Sequence, residues 1–278
     1  KALAAYDRLL ELRPNDYSIY RRKAEVEQQR GDNDAAIELL SRYLEFVPDS
    51  GAALAQLAGL HQAKGDLDAA QAALEDAVIL SNNPLGAEIG LARLEARRGS
   101  FDDAVARLDT LRQRGLLPQQ ELQTLAANIE IAVARGTISE AIALTAEANE
   151  LARTLLPPAN RIFMFEAQPA ELLPLLGRYE EALEVADSIT AQLQPPLTHY
   201  LNFAYTEIHA RVGNRDEFRR WARASQEVRD QLPDFYNATM ALEQAQIDIW
   251  DENFEAAIAN TDAARAMLGQ SILQTLMD

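Results

Sequence analysis

Apolar residues recur at spacings of three and four along most of this chain, and short polar segments separate the groups. Residues three and four apart lie on the same face of an α-helix, so each group predicts one amphipathic helix. The polar segments are rich in Gly, Asp and Asn, which are typical of turns and helix ends. The chain is therefore predicted to be a series of short helices joined by turns. In one stretch the apolar positions are Leu54, Leu57 and Ala58, followed by Leu67, Ala70, Leu74, Ala77 and Val78.

The turn segment that begins at Gly31 returns at Gly65 and again at Gly99, at intervals of 34 residues. Three further columns keep this interval, which indicates a repeat array in which each unit buries its apolar face on its neighbours. The glycine is expected to end the first helix of each unit in the left-handed conformation, and the Asp or Ser after it to cap the second helix. The other columns are Ala24, Ala58 and Ala92; Ala36, Ala70 and Ala104; and Leu40, Leu74 and Leu108.

These columns resemble the tetratricopeptide repeat, a 34-residue helix-turn-helix unit with small residues at its eighth, twentieth and twenty-seventh positions and glycine at its fifteenth. Residues 17–50, 51–84 and 85–118 match it as regular repeats, and residues 1–16 match it as a half repeat. Glu88 departs from the pattern, because a large apolar residue is usual at the fourth position. The resemblance implies an all-α fold, a right-handed α–α superhelix of about seven helix pairs plus the N-terminal half repeat.

The match loosens after Pro118, where successive turn glycines stand 36 to 41 residues apart. Degenerate repeats are predicted at residues 119–156, 157–196, 197–233 and 234–270, followed by a short capping helix in 271–278. The turn at residues 251–257 has no glycine but keeps the form of the others. The whole chain, 1–278, is thus predicted to be one solenoid. Because its first residues already read as the second helix of a repeat, we expect it to be a piece of a longer protein.

One segment, from Pro157 to Pro174, breaks the repeat pattern. Prolines fall where the first helix of a repeat should run, and an interior proline costs about 3 kcal/mol because it removes a backbone hydrogen bond. We expect this helix to be kinked or split near Gln168 and Pro169. Either the segment is a long connection that repacks locally, or its apolar residues present a surface to a partner or a second copy. These residues are Ile162, Phe163, Met164 and Phe165.

The charge and composition of the chain exclude several kinds of partner. A formal net charge of −17 and a pI near 4.6 argue against nucleic acid, because phosphate backbones attract clustered Lys and Arg. No apolar run approaches the roughly 18 residues that suggest a spanning helix, so direct membrane insertion is not expected. The chain has no cysteine, which excludes disulfides, thiolate metal sites and a cysteine nucleophile and leaves its compartment open.

No catalytic, cofactor-binding or metal-binding residue is predicted. The Gly-Asp turns bring carboxylates together but run straight into a helix, unlike a calcium loop of about 12 residues, so helix capping explains them. None of the histidines, His61, His199 and His209, has a second ligand four residues away on the same helical face. Nucleophile-elbow, dinucleotide and P-loop motifs are missing. The chain is therefore predicted not to be an enzyme.

Proteins of the resembled family line a concave groove with the second, fifth, ninth, twelfth and thirteenth residues of each repeat. Carried onto this sequence, these positions place small residues in the second complete repeat and arginines in the repeats on either side. Such a groove suits a helix or an extended peptide whose carboxylates pair with arginine. The clamp that chaperone-binding members use for a C-terminal carboxylate is not reproduced. The candidate groove residues are Arg21, Glu25, Gln28, Gln62, Ile89, Arg93 and Arg97.

Two further stripes of candidate groove residues lie nearer the C-terminus. Aromatic residues at helical spacing either pack against the neighbouring helix or continue the groove, and both interpretations stay open. The first stripe is Tyr200, Phe203, Glu207 and Arg211, and the second includes Trp250.

The predicted function is an interaction scaffold that binds a peptide or partner protein in its concave groove and has no catalysis of its own. Two alternatives stay open. The chain is then either a non-catalytic targeting or regulatory arm of a larger enzyme or regulator, or a homo-oligomer that assembles through an exposed end or through residues 162–165.

Overall fold

The computed structural model describes residues 2–195, 197–233 and 236–275, without the side chains of Ala159, Phe163 and residues 269–275. Every regular element in these ranges is a helix. The chain divides into two compact units, of which unit 1 is built from residues up to 120 and unit 2 from residues 121–271.

Unit 1 consists of a leading helix and three helix pairs. Within the pairs α2 packs on α3, α4 on α5 and α6 on α7, and successive pairs join through α3 with α4 and α5 with α6. The helices are α1 (Ala2–Leu12), α2 (Ser18–Gln29), α3 (Asn33–Leu44), α4 (Gly51–Ala63), α5 (Leu67–Leu80), α6 (Leu85–Arg97) and α7 (Phe101–Gln113).

The turns inside the pairs have the geometry that the sequence predicts. Gly31, Gly65 and Gly99 have φ angles of 79°, 79° and 85°, in the left-handed region where a residue with a β-carbon is strained. Asp32 and Asp66 each accept a hydrogen bond from the backbone N–H three residues later, at 3.0 and 3.1 Å. The prediction that Ser100 caps α7 is wrong, because the Ser100 side chain makes no capping hydrogen bond.

The repeated alanine and leucine columns form the core of unit 1. Every member of the three columns is buried, with at most 4% of its surface exposed. Small side chains let neighbouring helices approach closely: a β-carbon added at Gly90 of α6 would lie 2.8 Å from the Leu74 side chain of α5. Truncating a core leucine such as Leu108 to alanine is expected to cost about 2–5 kcal/mol.

Glu88, the departure from the repeat pattern, is buried and paired. Its Oε1 lies 2.8 Å from Nη1 of Arg114, at the end of α7. Only 9% of the surface of the Glu88 side chain is exposed to solvent, whereas 55% of that of Arg114 is exposed. The ion pair compensates for placing a carboxylate where the other repeats have an apolar side chain.

Unit 2 contains the degenerate repeats. Its first pair packs α8 on α9 through Leu125, Ile129, Ala148 and Ala152, and a later pair packs α13 on α14. The helices are α8 (Pro118–Arg135), which begins at the unit boundary, α9 (Ile138–Leu155), α10 (Pro158–Arg161), α11 (Gln168–Leu172), α12 (Tyr179–Thr190), α13 (Asn202–Arg211), α14 (Arg215–Glu227), α15 (Tyr236–Trp250) and α16 (Phe254–Thr275).

The segment between α9 and α12 is split, as the prolines predict. Short helices α10 and α11 flank a π-helical turn, Ile162–Glu166, and a 3₁₀ turn, Leu173–Leu176, follows α11. Pro169 and Pro174 each stand at the second position of a short element, where the missing N–H leaves no helical hydrogen bond unmade. The break therefore divides one repeat helix into several turns.

The last turn uses Glu252 where the earlier turns have glycine. Glu252 has φ 59°, and its N–H and that of Asn253 close the end of α15 as their counterparts do at Gly31 and Asp32. The prediction of a separate capping helix in 271–278 is wrong for residues 271–275, because α16 continues unbroken from Phe254 to Thr275. Residues 276–278 lie outside the described part of the chain.

Candidate functional site

The first helices of the unit 1 pairs, α2, α4 and α6, carry the predicted groove residues, and we call their outward side the first-helix surface. On α2, Arg21 lies 3.7 Å from Glu25, four residues further along, so these two candidates neutralise each other in part. Gln28 accepts a hydrogen bond of 2.9 Å from the side chain of Gln56 on α4. Gln62, near the end of α4, is half-buried.

The middle of this surface is open. A β-carbon placed on Gly59 of α4 or on Gly86 of α6 would meet no other atom within 4 Å. Ala52 and Ala55 are exposed on α4. The small side chains that the resemblance placed in the middle repeat thus leave room above α4.

Arg93 and Arg97 are exposed on α6 and stand four residues apart, which puts them on one face of the helix. Ile89, four residues before Arg93, does not share this exposure: only 5% of its surface is exposed, so its assignment as an available groove residue is wrong.

In unit 2 the aromatic candidates of the first stripe pack against the neighbouring helix. Phe203 stacks on Tyr236 of α15 with ring centroids 4.6 Å apart and planes 6° apart, and Tyr200 lies 5.6 Å from the same ring. All three rings remain half-exposed. The helix-packing interpretation therefore accounts for these rings, and their outer edges still reach the surface.

The remaining candidates of unit 2 are engaged within the chain. Arg211 lies 2.6 Å from Glu207, one turn before it on α13. Trp250 packs edge-on against Phe218 of α14 at 4.9 Å, and the guanidinium carbon of Arg215 lies 5.3 Å from its ring. The structure therefore does not bring Trp250 into the ring cluster of Phe203.

The apolar residues of the split segment mostly face inward. Ile162 packs in a cluster with Ile189 and Leu193, and Phe165 packs against α8 and α9 with 1% of its surface exposed. For Ile162 and Phe165 the alternative that they present an apolar surface is wrong, because the side chains of both lie in the core. Met164 is exposed, at 46%, and the side chain of Phe163 lies outside the described residues.

A cavity of about 720 Å³ lies beside the split segment, and sequence reasoning missed it. It is bordered by α9 and α12, and its charged lining includes Arg153, Arg161 and Glu184. The only sequence signal for this place was the proline-induced break itself, since the three charged residues belong to different elements and form no local pattern.

Burial shifts the pKa of several titratable groups of unit 2, among them Glu243, Tyr205 and His209. Burial raises the pKa of Glu243 to about 7, against a smaller opposing effect of its contact with Thr206. Burial and the hydrogen bond of 2.6 Å that its hydroxyl donates to Asp187 raise the pKa of Tyr205 to about 12. Burial lowers the pKa of His209. None of these groups lines the cavity.

The contact between Glu243 and Thr206 indicates which group holds the proton. The Thr206 hydroxyl oxygen lies 2.9 Å from the carbonyl oxygen of Phe203 and 2.5 Å from Oε1 of Glu243. A hydroxyl has one proton to donate, so an ionised Glu243 accepts from Thr206 only when the bond to Phe203 is given up. Both contacts are satisfied together when Thr206 donates to Phe203 and a protonated Glu243 donates to Thr206. The geometry and the raised pKa of Glu243 agree.

Within the described residues, no helix has both the length and the apolar character needed to cross a membrane. The same residues contain no group of three His, Asp or Glu side chains arranged to hold a metal ion.

The sequence profile of the tetratricopeptide repeat family matches residues 1–51. None of the curated proteins matches the chain. Among solved structures, a tetratricopeptide repeat protein from Parabacteroides merdae is similar with a TM-score of 0.65 and 15% identity, over 94% of this chain and 99% of that one.

Two larger proteins contain a similar fold. One is a Signal Transduction ATPase with Numerous Domains from Pyrococcus horikoshii, which has a tetratricopeptide repeat sensor; its TM-score is 0.62 at 17% identity, over 98% of this chain and 46% of that one. The other is a chain of the APC/C hetero-tetramer Cut9–Hcn1, with a TM-score of 0.56 at 14% identity, over 94% of this chain and 45% of that one. The all-α helical-repeat prediction is confirmed: the chain has the fold of these tetratricopeptide repeat structures, and residues 1–51 match the family profile.

Proposed function

We propose that this protein is an interaction scaffold that binds a peptide or helix of a partner protein on the first-helix surface of unit 1, and that it performs no reaction itself. The observation that carries the proposal is the open floor at Gly59 and Gly86, with exposed Arg93 and Arg97 beside it. A concave or open surface with a few large charged side chains gives a partner room to approach and a small number of strong contacts.

The charge of the arginines sets the chemistry of the partner. A guanidinium pairs best with a carboxylate, and two of them on one helical face favour an acidic segment. The chain as a whole has a formal net charge of −17, so most of its surface repels an acidic segment. The exposed arginine pair gives this surface a local positive charge that attracts such a segment.

The test compares two double variants in capture from a native lysate with identification by mass spectrometry. Arg93→Glu with Arg97→Glu is expected to weaken capture of the partner at least tenfold, because each charged contact contributes about 1.5–3 kcal/mol. Arg223→Glu with Arg265→Glu, which changes the same charge at exposed positions of unit 2, is the matched control and is expected to retain the partner. Helicity and melting temperature should hold in both.

A second variant tests the role of the open space at Gly59 without altering charge. Gly59→Leu fills the open space above α4 and replaces a poor helix former by a good one, so it should block binding while unit 1 becomes no less stable. Capture that survives both the arginine reversal and Gly59→Leu would contradict the proposal.

A further inference from the structure

The cavity beside the split segment has the size of a ligand site. Its volume of about 720 Å³ falls within the roughly 300–1,000 Å³ that is usual for pockets that bind small molecules or short segments. One wall is the face of α9 that includes Asn149, the other is the face of α12 that includes Ser188, and Phe165 and Pro169 of the split segment form the floor between them.

The two walls run in the same direction along the cavity. Near its first end, Ile142 of α9 and Leu183 of α12 both pack against the cluster that contains Leu173. Near its second end, Phe165 packs in a cluster with Ala152 of α9, and Ile162, one turn before Phe165, packs in a cluster with Ile189 of α12. The lining residues of both helices therefore advance together from the Ile142 end to the Arg153 end.

The second end carries a guanidinium that is held in place. Nε of Arg161 donates a hydrogen bond of 2.7 Å to Oε1 of Glu166, and both side chains are largely buried, at 19% and 12% exposure. Among the described residues, no hydrogen bond involves the two terminal nitrogens of Arg161. Arg153, which is 55% exposed and lies 3.1 Å from Glu150, borders the same end. Glu166 thus orients Arg161 and leaves its terminal N–H groups for an incoming carboxylate.

The first end is acidic. Glu181 and Glu184 of α12 line it. Glu181 accepts a hydrogen bond of 2.7 Å from Arg178, whereas Glu184 has no ion-pair partner among the residues that the structure describes. The cavity therefore has a basic end and an acidic end, with apolar side chains between them.

Between the ends the lining is apolar apart from a few polar groups. Phe165, Val185 and Ile189 provide the apolar surface, and Oδ1 of Asn149 is buried with no hydrogen-bond partner among the described residues. A side-chain amide can both donate to and accept from a peptide backbone, so Asn149 is suited to hold an extended segment.

We propose that the cavity between α9 and α12 binds a short peptide segment that places a carboxylate at Arg161, an apolar side chain over Phe165 and a basic side chain at Glu184. A segment with these three features matches the charge and polarity of the cavity along its whole length. The carboxylate comes either from an acidic side chain or from a C-terminus. The site lies wholly in unit 2 and does not depend on the first-helix surface of unit 1.

The proposal is tested by selecting binders from a library of random eight-residue peptides displayed with a free C-terminus. The full chain should enrich peptides that carry a basic residue at one end, an acidic group at the other and an apolar residue between them. Synthetic versions of the enriched peptides, with free and with amidated C-termini, then show by fluorescence anisotropy which carboxylate binds.

Glu184→Arg is the decisive variant, because this exposed side chain can change without loss of the fold. Peptides selected on this variant should carry an acidic residue where those selected on wild type carry a basic one. The affinity of the wild-type peptide should fall about tenfold. Arg265→Gln, on the exposed face of α16, is the matched control and should leave the selected sequences unchanged. Circular dichroism and the fluorescence of Trp221 verify that each variant is folded.

The pair Arg161→Gln and Glu166→Gln, made together, keeps a hydrogen-bonding pair and removes both charges. It should lower affinity about tenfold for the selected peptide and have little effect on the same peptide with its carboxylate replaced by an amide. Enriched peptides without the charge order, a basic preference that persists in Glu184→Arg, or no enrichment at all would each overturn the proposal.

The same selection on the Arg93→Glu and Arg97→Glu variant separates the two proposed surfaces. Peptides that bind the cavity of unit 2 should be enriched on this variant as strongly as on wild type. If every enriched peptide is lost in that variant but kept in Glu184→Arg, the peptides bind unit 1, which supports the first-helix surface and overturns the cavity proposal.

Discussion

Unit 1 and unit 2 differ in what they bury. In the described part of unit 1 the only buried charged or polar side chain is Glu88, and its partner Arg114 reaches it from α7. Regular repeats pack through columns of alanine and leucine, which need no hydrogen bonds and do not titrate. Unit 2, whose repeats are irregular, buries nine polar or charged side chains among its described residues. They are Thr124, Asn128, Thr145, Asn202, Thr206, His209, Ser225, Glu243 and Asp248.

The comparison shows that loss of the repeat pattern has a physical consequence. Buried polar groups must be hydrogen-bonded, and those that titrate make the free energy of unfolding depend on pH. We therefore expect the stability of unit 2 to respond to pH more strongly than that of unit 1.

The largest expected effect concerns Glu243. Its pKa is about 7 in the folded chain and 4.5 ordinarily, so the folded state keeps a proton that the unfolded state loses between these pH values. This contribution to stability is fully present below about pH 4.5 and is lost as the pH rises through 7, a total of roughly 3 kcal/mol. In Glu243→Gln the amide donates to Thr206 at every pH, so the variant should lack this loss. Urea unfolding at several pH values, followed by tryptophan fluorescence, measures the difference.

Both tryptophans, Trp221 and Trp250, lie in unit 2 and report on it directly. His209 acts with the opposite sign, since a lowered folded pKa gives stability that is present above the ordinary value of 6.5 and lost as the pH falls. Because His209 is present in both proteins, the difference between wild type and Glu243→Gln isolates Glu243. Equal pH slopes in the two proteins would refute the assignment.

A smaller effect is expected at the buried charge of unit 1. Arg114→Ala leaves the Glu88 carboxylate buried without its ion-pair partner and should cost about 2 kcal/mol. Glu88→Leu restores the apolar residue usual at this position and should be within about 1 kcal/mol of wild type or more stable. Far-ultraviolet circular dichroism during urea unfolding measures both, because unit 1 has no tryptophan.

Arg8→Ala provides the control for this comparison. Arg8 pairs with Glu11 on the exposed surface of α1, and such a pair contributes less than about 1 kcal/mol. If Arg114→Ala is no more destabilising than Arg8→Ala, the Glu88 pair is not an exception in unit 1 and the contrast with unit 2 is weaker than proposed.

The sequence predicted most where its signals are local. A glycine at one period fixes a left-handed turn, and the aspartate after it caps the next helix, so the turns at Gly31 and Gly65 could be placed from the residues alone. The prolines likewise predicted the split near Pro169. These features depend on the conformational preferences of one or two residues.

The sequence predicted least where several elements meet. Contacts with the rest of the fold bury Ile89, and Phe165 contacts α8 and α9 from a π-helical turn. The spacing of apolar residues along a single helix does not reveal either contact. The cavity combines Arg153, Arg161 and Glu184 from three elements, and only the packing of those elements brings them to one place.

The smallest expected effect tests whether the last turn of unit 2 is a strained copy of the turns in unit 1. Glu252 has φ 59°, where a residue with a β-carbon is disfavoured, while Gly99 meets the same requirement without strain. Glu252→Gly should raise the free energy of unfolding by about 0.5–1 kcal/mol, since the relief of strain exceeds the added freedom of the unfolded chain. Glu252→Ala keeps the β-carbon and should gain nothing. Unfolding followed by Trp250, two residues away, compares them; equal gains would mean that the loss of the carboxylate, not the backbone, is responsible.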